Sequence, residues 1–323
     1  MKPATEISCD IPSRYLPLAI YHSLPATGHS LLTGGGATME IFWRHADYAS
    51  WMQEHGLVRF EDFMGLNQGV VVRRRQNGSR SVTCLRIGSV TAYLKREFRI
   101  AYKEKFRNWW DGFGAVGKSL REWRMLRRVR QAGFLAPLPL ACGQRGSQAF
   151  LLTAELEDCL PLAKYLQGAS PRELHRLTAR LGCWLARFHA AGLAHPDLYS
   201  WHIHVRVTDQ EIAVLDLARA WQGESIPWRE RIRELAVLAL SLPAEQWLDR
   251  DCRDFLQHYL LTVGHSPLDL PHSPFATRYS AVAVPCLWLW QAVRREVEYF
   301  QSTVVKKWQR RQPSQEHDLF QTA

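Results

Sequence analysis

Residues 195–202 have the sequence His-Pro-Asp-Leu-Tyr-Ser-Trp-His, and residues 213–216 have the sequence Ala-Val-Leu-Asp. The first stretch is predicted to be a tight polar loop that leaves a helix and enters a short strand. The second is predicted to close an apolar strand that lies beside the first one. The pattern therefore brings the carboxylates of Asp197 and Asp216 to the mouths of two adjacent strands.

Two carboxylates in this position are what phosphoryl transfer from a nucleotide requires. Asp197 would accept the proton of the attacking hydroxyl, and Asp216 would hold the Mg²⁺ that bridges the phosphates. Lys95 ends a predicted strand from which it could reach the α- and β-phosphates, and Glu122 lies on the next predicted helix, where it could hold that lysine. Taken alone, Lys95 and Glu122 are ordinary surface charges. The spacing of all four matches that of a protein-kinase-like fold, which predicts ATP as substrate and Mg²⁺ as cofactor.

The pattern of strands and helices predicts the same fold class. Residues 69–95 form three apolar runs separated by turn signals, which is typical of an antiparallel meander. A helix is predicted over Lys118–Gln131 because Gly133 closes a helical pattern. Two further strands follow, and Ser170 and Pro171 then begin a long helix with a capping serine and a first-turn proline. The remaining segments are predicted to be mostly helical.

This order predicts an α+β, two-lobed, protein-kinase-like fold. Residues 39–156 would form a small antiparallel-sheet lobe with one main helix, which binds the nucleotide. Residues 157–312 would form a larger, mostly helical lobe that contains the catalytic loop. The mixed Pro, Ser, Thr and Gly composition predicts a disordered tail over 1–38, and residues 313–323 are predicted to be flexible.

The turn between the first two strands of the meander is expected to cover the phosphates. It contains three consecutive arginines and a single glycine, Gly78, where such turns usually have three glycines. The backbone amide of Gly78 could still cap a phosphate. A plain exposed hairpin is the alternative.

Composition narrows the class of partner. The chain has 323 residues, a formal net charge of +10 and a pI near 9.4, which suits nucleic acid, an anionic membrane or phosphorylated substrates. No aromatic RNA-binding pattern or recognition-helix motif is present, so nucleic acid is not expected. Seven scattered cysteines without a CxxC pair indicate reduced thiols in a cytosol. No secretory signal or membrane span is predicted.

The motif residues resemble the bacterial lipopolysaccharide core kinase family. The resemblance is carried by residues 195–203, by Leu-Asp-Leu-Ala-Arg-Ala at 215–220, and by Arg-Glu-Trp at 121–123. It covers roughly residues 57–240 and is greatest to the branch that phosphorylates heptose of the inner core. It implies an ATP-dependent kinase of a sugar hydroxyl, with the core acceptor at the inner face of the inner membrane and a cytoplasmic location.

His202 departs from ordinary protein kinases because it stands where an asparagine usually binds a second metal ion. The heptose-kinase branch has the same residue, so the change does not argue for inactivity, although it leaves open whether one or two Mg²⁺ ions bind. His202 could instead orient Asp197 or a phosphate. His195 is interpreted as structural rather than as a proton acceptor.

Two further expectations concern surfaces. The arginines of the predicted helix at 118–131 are interpreted partly as a solvated face and partly as a cationic surface that could concentrate the protein at an anionic membrane; they are Arg121, Arg124, Arg127, Arg128 and Arg130. The basic, tryptophan-containing segment at 306–311 would suit the same use, and a merely soluble tail is the alternative. The alternative to an enzyme is a kinase-fold binding or scaffold protein in envelope biogenesis, suggested by the glycine-poor turn and by His202.

Overall fold

The computed structural model describes residues 40–243, 249–264 and 283–305. The tails predicted at 1–38 and 313–323, and the basic segment at 306–311, lie outside the described residues. Within those ranges, no helix is long and apolar enough to cross a bilayer.

The first lobe is built on one six-stranded sheet in which every pairing is antiparallel. Its strand order is β1-β5-β6-β4-β3-β2, so the predicted meander of β2, β3 and β4 is confirmed and lies at one edge. β1 was not predicted; it pairs with β5. The strands are β1 (Glu40–Arg44), β2 (Val70–Arg74), β3 (Arg80–Ile87), β4 (Val90–Glu97), β5 (Pro139–Arg145) and β6 (Gln148–Ala154).

Four helices complete this lobe: α1 (Ala49–Glu54), α2 (Phe60–Met64), α3 (Tyr102–Trp110) and α4 (Lys118–Gln131). Helix α4 has the predicted bounds. Its first amides are bound by side chains of the sheet, since Gly117 N–H donates to Gln144 Oε1 at 2.8 Å and Ser119 N–H donates to Glu97 Oε1 at 2.6 Å. A Cβ on Gly117 would lie 2.7 Å from Ile100 Cδ1 and 2.9 Å from Glu97 Oε1, so a larger residue would displace side chains at this approach of α4 to the sheet.

The second lobe is mainly helical. Its long helix begins as predicted, because the Ser170 hydroxyl oxygen accepts from Glu173 N–H and the Glu173 carboxylate accepts from Ser170 N–H. The elements are β7 (Cys159–Pro161), α5 (Leu162–Gly168), α6 (Pro171–Ala190), β8 (Leu193–Ala194), β9 (Ile203–Arg206), β10 (Ile212–Val214), β11 (Trp221–Gln222), α7 (Trp228–Ser241), α8 (Asp249–Val263) and α9 (Ala283–Tyr299). Helix α6 buries the stripe Leu177, Leu181, Leu185 and Phe188. The two-lobed α+β architecture is therefore confirmed.

The expectation of a solvated arginine face on α4 is wrong for most of its members. Arg121 is only 4% exposed, and Arg124 and Arg130 donate to the carbonyls of Phe113 and Ala136. The guanidinium of Arg127 lies over the ring of Trp123, which leaves Arg128 as the exposed arginine of the five. Four of the five arginines thus bind backbone carbonyls or lie over an aromatic ring, so they are not available as a membrane-facing surface.

Candidate active site

The backbone N–H and carbonyl of Leu215 fix the polar loop to the segment that carries Asp216. Its N–H donates to the carbonyl oxygen of His202 at 2.8 Å, and its carbonyl accepts from His195 Nε2–H at 2.9 Å. The ring of His195 is fully buried. The histidine therefore acts structurally, as interpreted from the sequence, and it joins the two segments that carry the aspartates.

Asp216 lies at the end of this segment in a left-handed conformation, with φ 53° and ψ 54°. This region disfavours most L-residues but is tolerated by aspartate and asparagine. Burial raises the pKa of Asp216, but the charge of Lys95, with smaller contributions from other basic groups, outweighs it and lowers that pKa to about 2. The carboxylate is thus ionised at neutral pH. Its side chain is 45% exposed, so it can accept a ligand.

Lys95 and Glu122 form the predicted ion pair between β4 and α4. Lys95 Nζ lies 2.6 Å from Glu122 Oε1, and the Glu122 side chain is only 3% exposed. Burial opposes the charge on the lysine, but Glu122 and Asp216 raise the pKa of Lys95 above its ordinary value. The ammonium therefore stays charged while it faces Asp216. The second oxygen of Glu122 has no hydrogen-bond partner among the described residues.

Asp197 accepts a hydrogen bond from the guanidinium of Arg219, with Oδ1 2.7 Å from Nη1. The aspartate side chain is 25% exposed and that of Arg219 is 53% exposed. This pairing was not predicted, although Arg219 belongs to the motif at 215–220. The salt bridge orients the carboxylate.

His202 lies between the two aspartates. Its Nδ1 is 2.7 Å from the carbonyl oxygen of Asp197, so we assign a proton to Nδ1 and leave Nε2 as the free nitrogen. Nε2 is 3.7 Å from Asp216 Oδ2. Burial lowers the pKa of His202, which keeps its imidazole neutral at neutral pH. The ring also stacks on His195, with centroids 5.8 Å apart.

A cavity of about 250 Å³ lies between the lobes and contains three of these residues, Lys95, Glu122 and Asp216. Its walls include Glu155 and Leu156, which belong to the acidic connection between the lobes. The other lining residues are Val82, Tyr93, Pro137, Thr153, Ala154, Cys159, His204 and Leu215. The cavity combines apolar walls with a cation and a carboxylate at one end, which suits a nucleotide with a base and charged phosphates.

Gly78 does not line this cavity. It has φ +64° in the β2–β3 turn, and its N–H already donates to the carbonyl oxygen of Arg75 at 2.8 Å. The turn is also held by Asn77, whose side-chain oxygen accepts from Ser79 N–H. The glycine therefore has a conformational role in this hairpin, and its amide would have to change partners to cap a phosphate.

Sequence reasoning missed a second arginine of the site. The Nη2 of Arg121 lies 3.2 Å from the carbonyl oxygens of both Arg219 and Ala220. Its Nη1 donates to Asn108 and Asp111, which belong to α3 and its C-terminal end. The Arg-Glu-Trp triplet at 121–123 was a usable signal, because the residue beside Glu122 faces the opposite segment of the same site.

Comparison with known proteins is consistent with this geometry. A profile described as "Lipopolysaccharide kinase (Kdo/WaaP) family" matches residues 66–259. The lipopolysaccharide core heptose(I) kinase WaaP of Pseudomonas aeruginosa is 29% identical over 175 residues, which cover 46% of this chain and 65% of that protein. The 3-deoxy-D-manno-octulosonic acid kinase of Xylella fastidiosa (strain M12) is 32% identical over 173 residues, which cover 52% of this chain and 68% of that protein. The chain thus spans about two thirds of the length of these relatives.

A solved structure has the same fold. The structure of WaaP in complex with acyl carrier protein superposes with a TM-score of 0.56 at 22% identity. The superposition covers 79% of this chain and 98% of that chain, so both lobes take part in it. The matched profile also contains every residue of the site just described.

Proposed function

From the premise that this chain belongs to the lipopolysaccharide kinase (Kdo/WaaP) family, we propose that it is an ATP-dependent kinase. The acceptor would be a sugar hydroxyl of the lipopolysaccharide inner core, with heptose favoured by the motifs at 121–123 and 195–203. One observation carries the proposal: Lys95, paired with Glu122, and the ionised Asp216 meet at one end of the cavity between the lobes.

The lysine and its partner position the nucleotide. A charged ammonium at this place would contact the α- and β-phosphates, and Glu122 would fix its direction. The partnerless oxygen of Glu122 and the carboxylate of Asp216 add negative charge on the same side. The ammonium therefore has a stable position before any nucleotide enters.

Asp216 is the residue that would hold Mg²⁺. A hard oxygen donor that is ionised at neutral pH and partly exposed fits this ion, which usually takes one or two carboxylates and completes its shell with phosphates and water. When bound, the ion neutralises charge that develops on the transferred phosphoryl group. His202 offers Nε2 beside Asp216, and its Nδ1–H holds the backbone of Asp197 in place.

Asp197 would receive the acceptor hydroxyl. Because Arg219 occupies Oδ1, the other carboxylate oxygen is the one proposed to accept the hydroxyl proton and direct the oxygen toward the γ-phosphate. Arg219 is half exposed, and we assign it to contacts with the anionic groups of the acceptor as well. Such an acceptor would place the protein at the cytoplasmic face of the inner membrane.

The proposal is tested by Asp197→Ala with purified core oligosaccharide and ATP. Transfer should fall by at least about 100-fold, because a positioned base contributes that much, while the thermal shift caused by Mg-ATP persists. Asp47→Ala is the matched control, since that aspartate is 81% exposed and outside the cavity. Undiminished transfer in Asp197→Ala would remove this residue from the mechanism.

The same experiment addresses the binding-protein alternative. A kinase-fold scaffold would give no turnover in the unmodified chain on any core fraction, whether or not Mg-ATP stabilised it. Named kinases among the relatives do not favour this alternative. Loss of one phosphate from the core of a strain without this protein, measured by mass spectrometry, would identify the acceptor.

A further inference from the structure

Helix α3 exposes a row of aromatic rings. Tyr102 is 90% exposed, Phe106 62%, Trp109 57% and Trp110 75%. Their spacing of i, i+4, i+7 and i+8 places them on one side of the helix, which we call the aromatic stripe. Phe106 contacts both tryptophan rings, with centroids 5.9 Å and 6.3 Å away. Phe106, Trp109 and Trp110 therefore form one continuous apolar surface, and Tyr102 lies one turn before them.

The opposite side of α3 is polar and faces the protein. Asn108 is 2% exposed; its side chain donates to the Val116 carbonyl at 2.6 Å and accepts from Arg121. Lys105 Nζ donates to the Gly146 carbonyl at 2.8 Å. The helix is thus inverted relative to an ordinary surface helix, which turns its apolar side inward. An apolar patch of this kind on a soluble fold marks an interaction site.

Cations surround the aromatic stripe. Lys103 and Arg107 are exposed, and each comes one residue after an aromatic residue of the stripe. They therefore lie along its flank. The β2–β3 turn lies at the same end of the sheet, because Phe98 N–H donates to the Ser79 carbonyl at 2.9 Å. Apart from Lys105, which faces the protein, residues 73–80 and 99–107 together contain seven basic residues and one acidic residue. The partner of the stripe must therefore be both apolar and anionic.

We propose that the outward side of α3 lies on an anionic lipid bilayer. Tryptophan and tyrosine favour the depth of lipid headgroups, and a helix with rings on one side and cations at its flank lies in the plane of the interface. The stripe is a convex helix surface rather than a groove. It suits a fluid lipid surface that closes around protruding rings.

This orientation would place the candidate active site beside the membrane. Asn108, on the polar side of α3, and Asp111, at its end, bind Arg121, whose other nitrogen binds the backbone of Arg219. Arg219 in turn contacts Asp197. The inference rests on the proposed function in one respect, namely that the acceptor is carried by the same membrane. Binding of the protein to lipid is measured separately and requires no phosphate transfer.

The test is flotation of the full chain with vesicles of phosphatidylethanolamine and phosphatidylglycerol in a 3:1 ratio. The unmodified protein should float with them at low salt and should float much less with pure phosphatidylcholine. Phe106→Ser combined with Trp110→Ser should reduce the partition coefficient at least tenfold. Lys103→Glu combined with Arg107→Glu should weaken it by on the order of fivefold for each cation removed, and salt should diminish the difference.

Tyr299→Ser is the matched control, because that ring is 56% exposed on α9, away from the stripe, and its loss should change nothing. The midpoint of thermal unfolding of each variant, measured without ligand, verifies that the fold is intact. The proposal is overturned if the serine variant floats as well as the unmodified chain, or if the unmodified chain never floats. Binding of a small acidic protein through the same rings, without flotation, would also overturn it and would assign the stripe to a protein interface. Absence of kinase activity would leave the flotation result unaffected.

Discussion

Each lobe contains a buried acid paired with a base, and the two pairs have different surroundings. In the first lobe, Glu122 binds Lys95 at 2.6 Å; in the second, Glu234 binds His189 at 3.1 Å. Each glutamate has one oxygen without a hydrogen-bond partner among the described residues. The Lys95 pair opens on the cavity between the lobes, whereas His189 is fully buried and bonds Tyr259 on its other nitrogen.

The comparison teaches that burial of charge alone does not identify a functional site. Both pairs are costly to desolvate, and both need their partners to be stable. Only the pair beside Asp216 has room for a ligand and a further carboxylate to complete a phosphate site. We therefore expect substitutions in the cavity to change activity, and substitutions in the sealed cluster of His189, Glu234 and Tyr259 to change stability.

The largest effect is expected from Asp216→Asn. Asparagine tolerates the left-handed backbone, so the fold should persist, while loss of the anionic oxygen should reduce transfer roughly 1000-fold, or about 4 kcal/mol. The measurement is kcat on core oligosaccharide at saturating Mg-ATP. Asp209→Asn, in the exposed turn after β9, is the control and should retain full activity. Equal activity in both variants would contradict the assignment of the metal ligand.

Lys95→Met should lower kcat/KM roughly 100-fold. A preorganised cation beside the charge that develops during phosphate transfer accelerates the reaction by a factor of about this size. It also leaves Glu122 buried and unpaired, so the midpoint of thermal unfolding should fall. Adding Glu122→Gln should restore the midpoint without restoring activity. Recovery of activity in the double variant would mean that the pair has a structural role like that of the sealed cluster.

Glu234→Ala should lower the stability of the protein and leave its activity unchanged, unlike the substitutions in the cavity. Removing one partner of a buried hydrogen-bonded pair should cost about 2 kcal/mol in the free energy of unfolding, since it leaves the ring nitrogen of His189 without this partner. Denaturant titration would measure this loss, and kcat per folded molecule at low temperature should remain unchanged. A variant of normal stability with reduced kcat would reverse the distinction between the two clusters.

The smallest effect concerns pH. Burial lowers the pKa of His204, which lines the cavity, to about 4, whereas the unfolded chain titrates near 6.5. The group therefore stabilises the fold above pH 6.5, and this contribution is lost as pH falls from 6.5 toward 4. Between pH 7.5 and 5 the free energy of unfolding should drop by about 1 kcal/mol more in the unmodified chain than in His204→Gln. If the free energy of unfolding fell equally with pH in both proteins, His204 would not be responsible for the loss of stability.

Local signals predicted much of this structure. Caps, turn residues and apolar periodicity within short windows predict the bounds of α4 and the start of α6. The same kind of local pattern selects Asp197 and Asp216 as candidate residues. Contacts distant in sequence were not accessible in this way. β1 pairs with β5 about a hundred residues later, and Asp197 pairs with Arg219 across β9 and β10.

The arginines of α4 illustrate a second limit. Composition favoured a solvated face, yet Arg121 is buried because Asn108, Asp111 and two backbone carbonyls take up its donors. The roles of Gly78 and His202 depend on which groups their nitrogens contact, and spacing along the chain does not specify that. Sequence motifs therefore identified residues that lie together in the candidate site, but they did not assign its individual hydrogen bonds.

The two hydrogen bonds made by Leu215 link the two segments that carry the aspartates. Its N–H and its carbonyl belong to the two peptide groups that flank this residue, and they contact His202 and His195. A displacement of either segment would therefore strain or break one of these bonds. The relative position of Asp197 and Asp216 thus depends on two histidines, neither of which has to carry charge for this purpose.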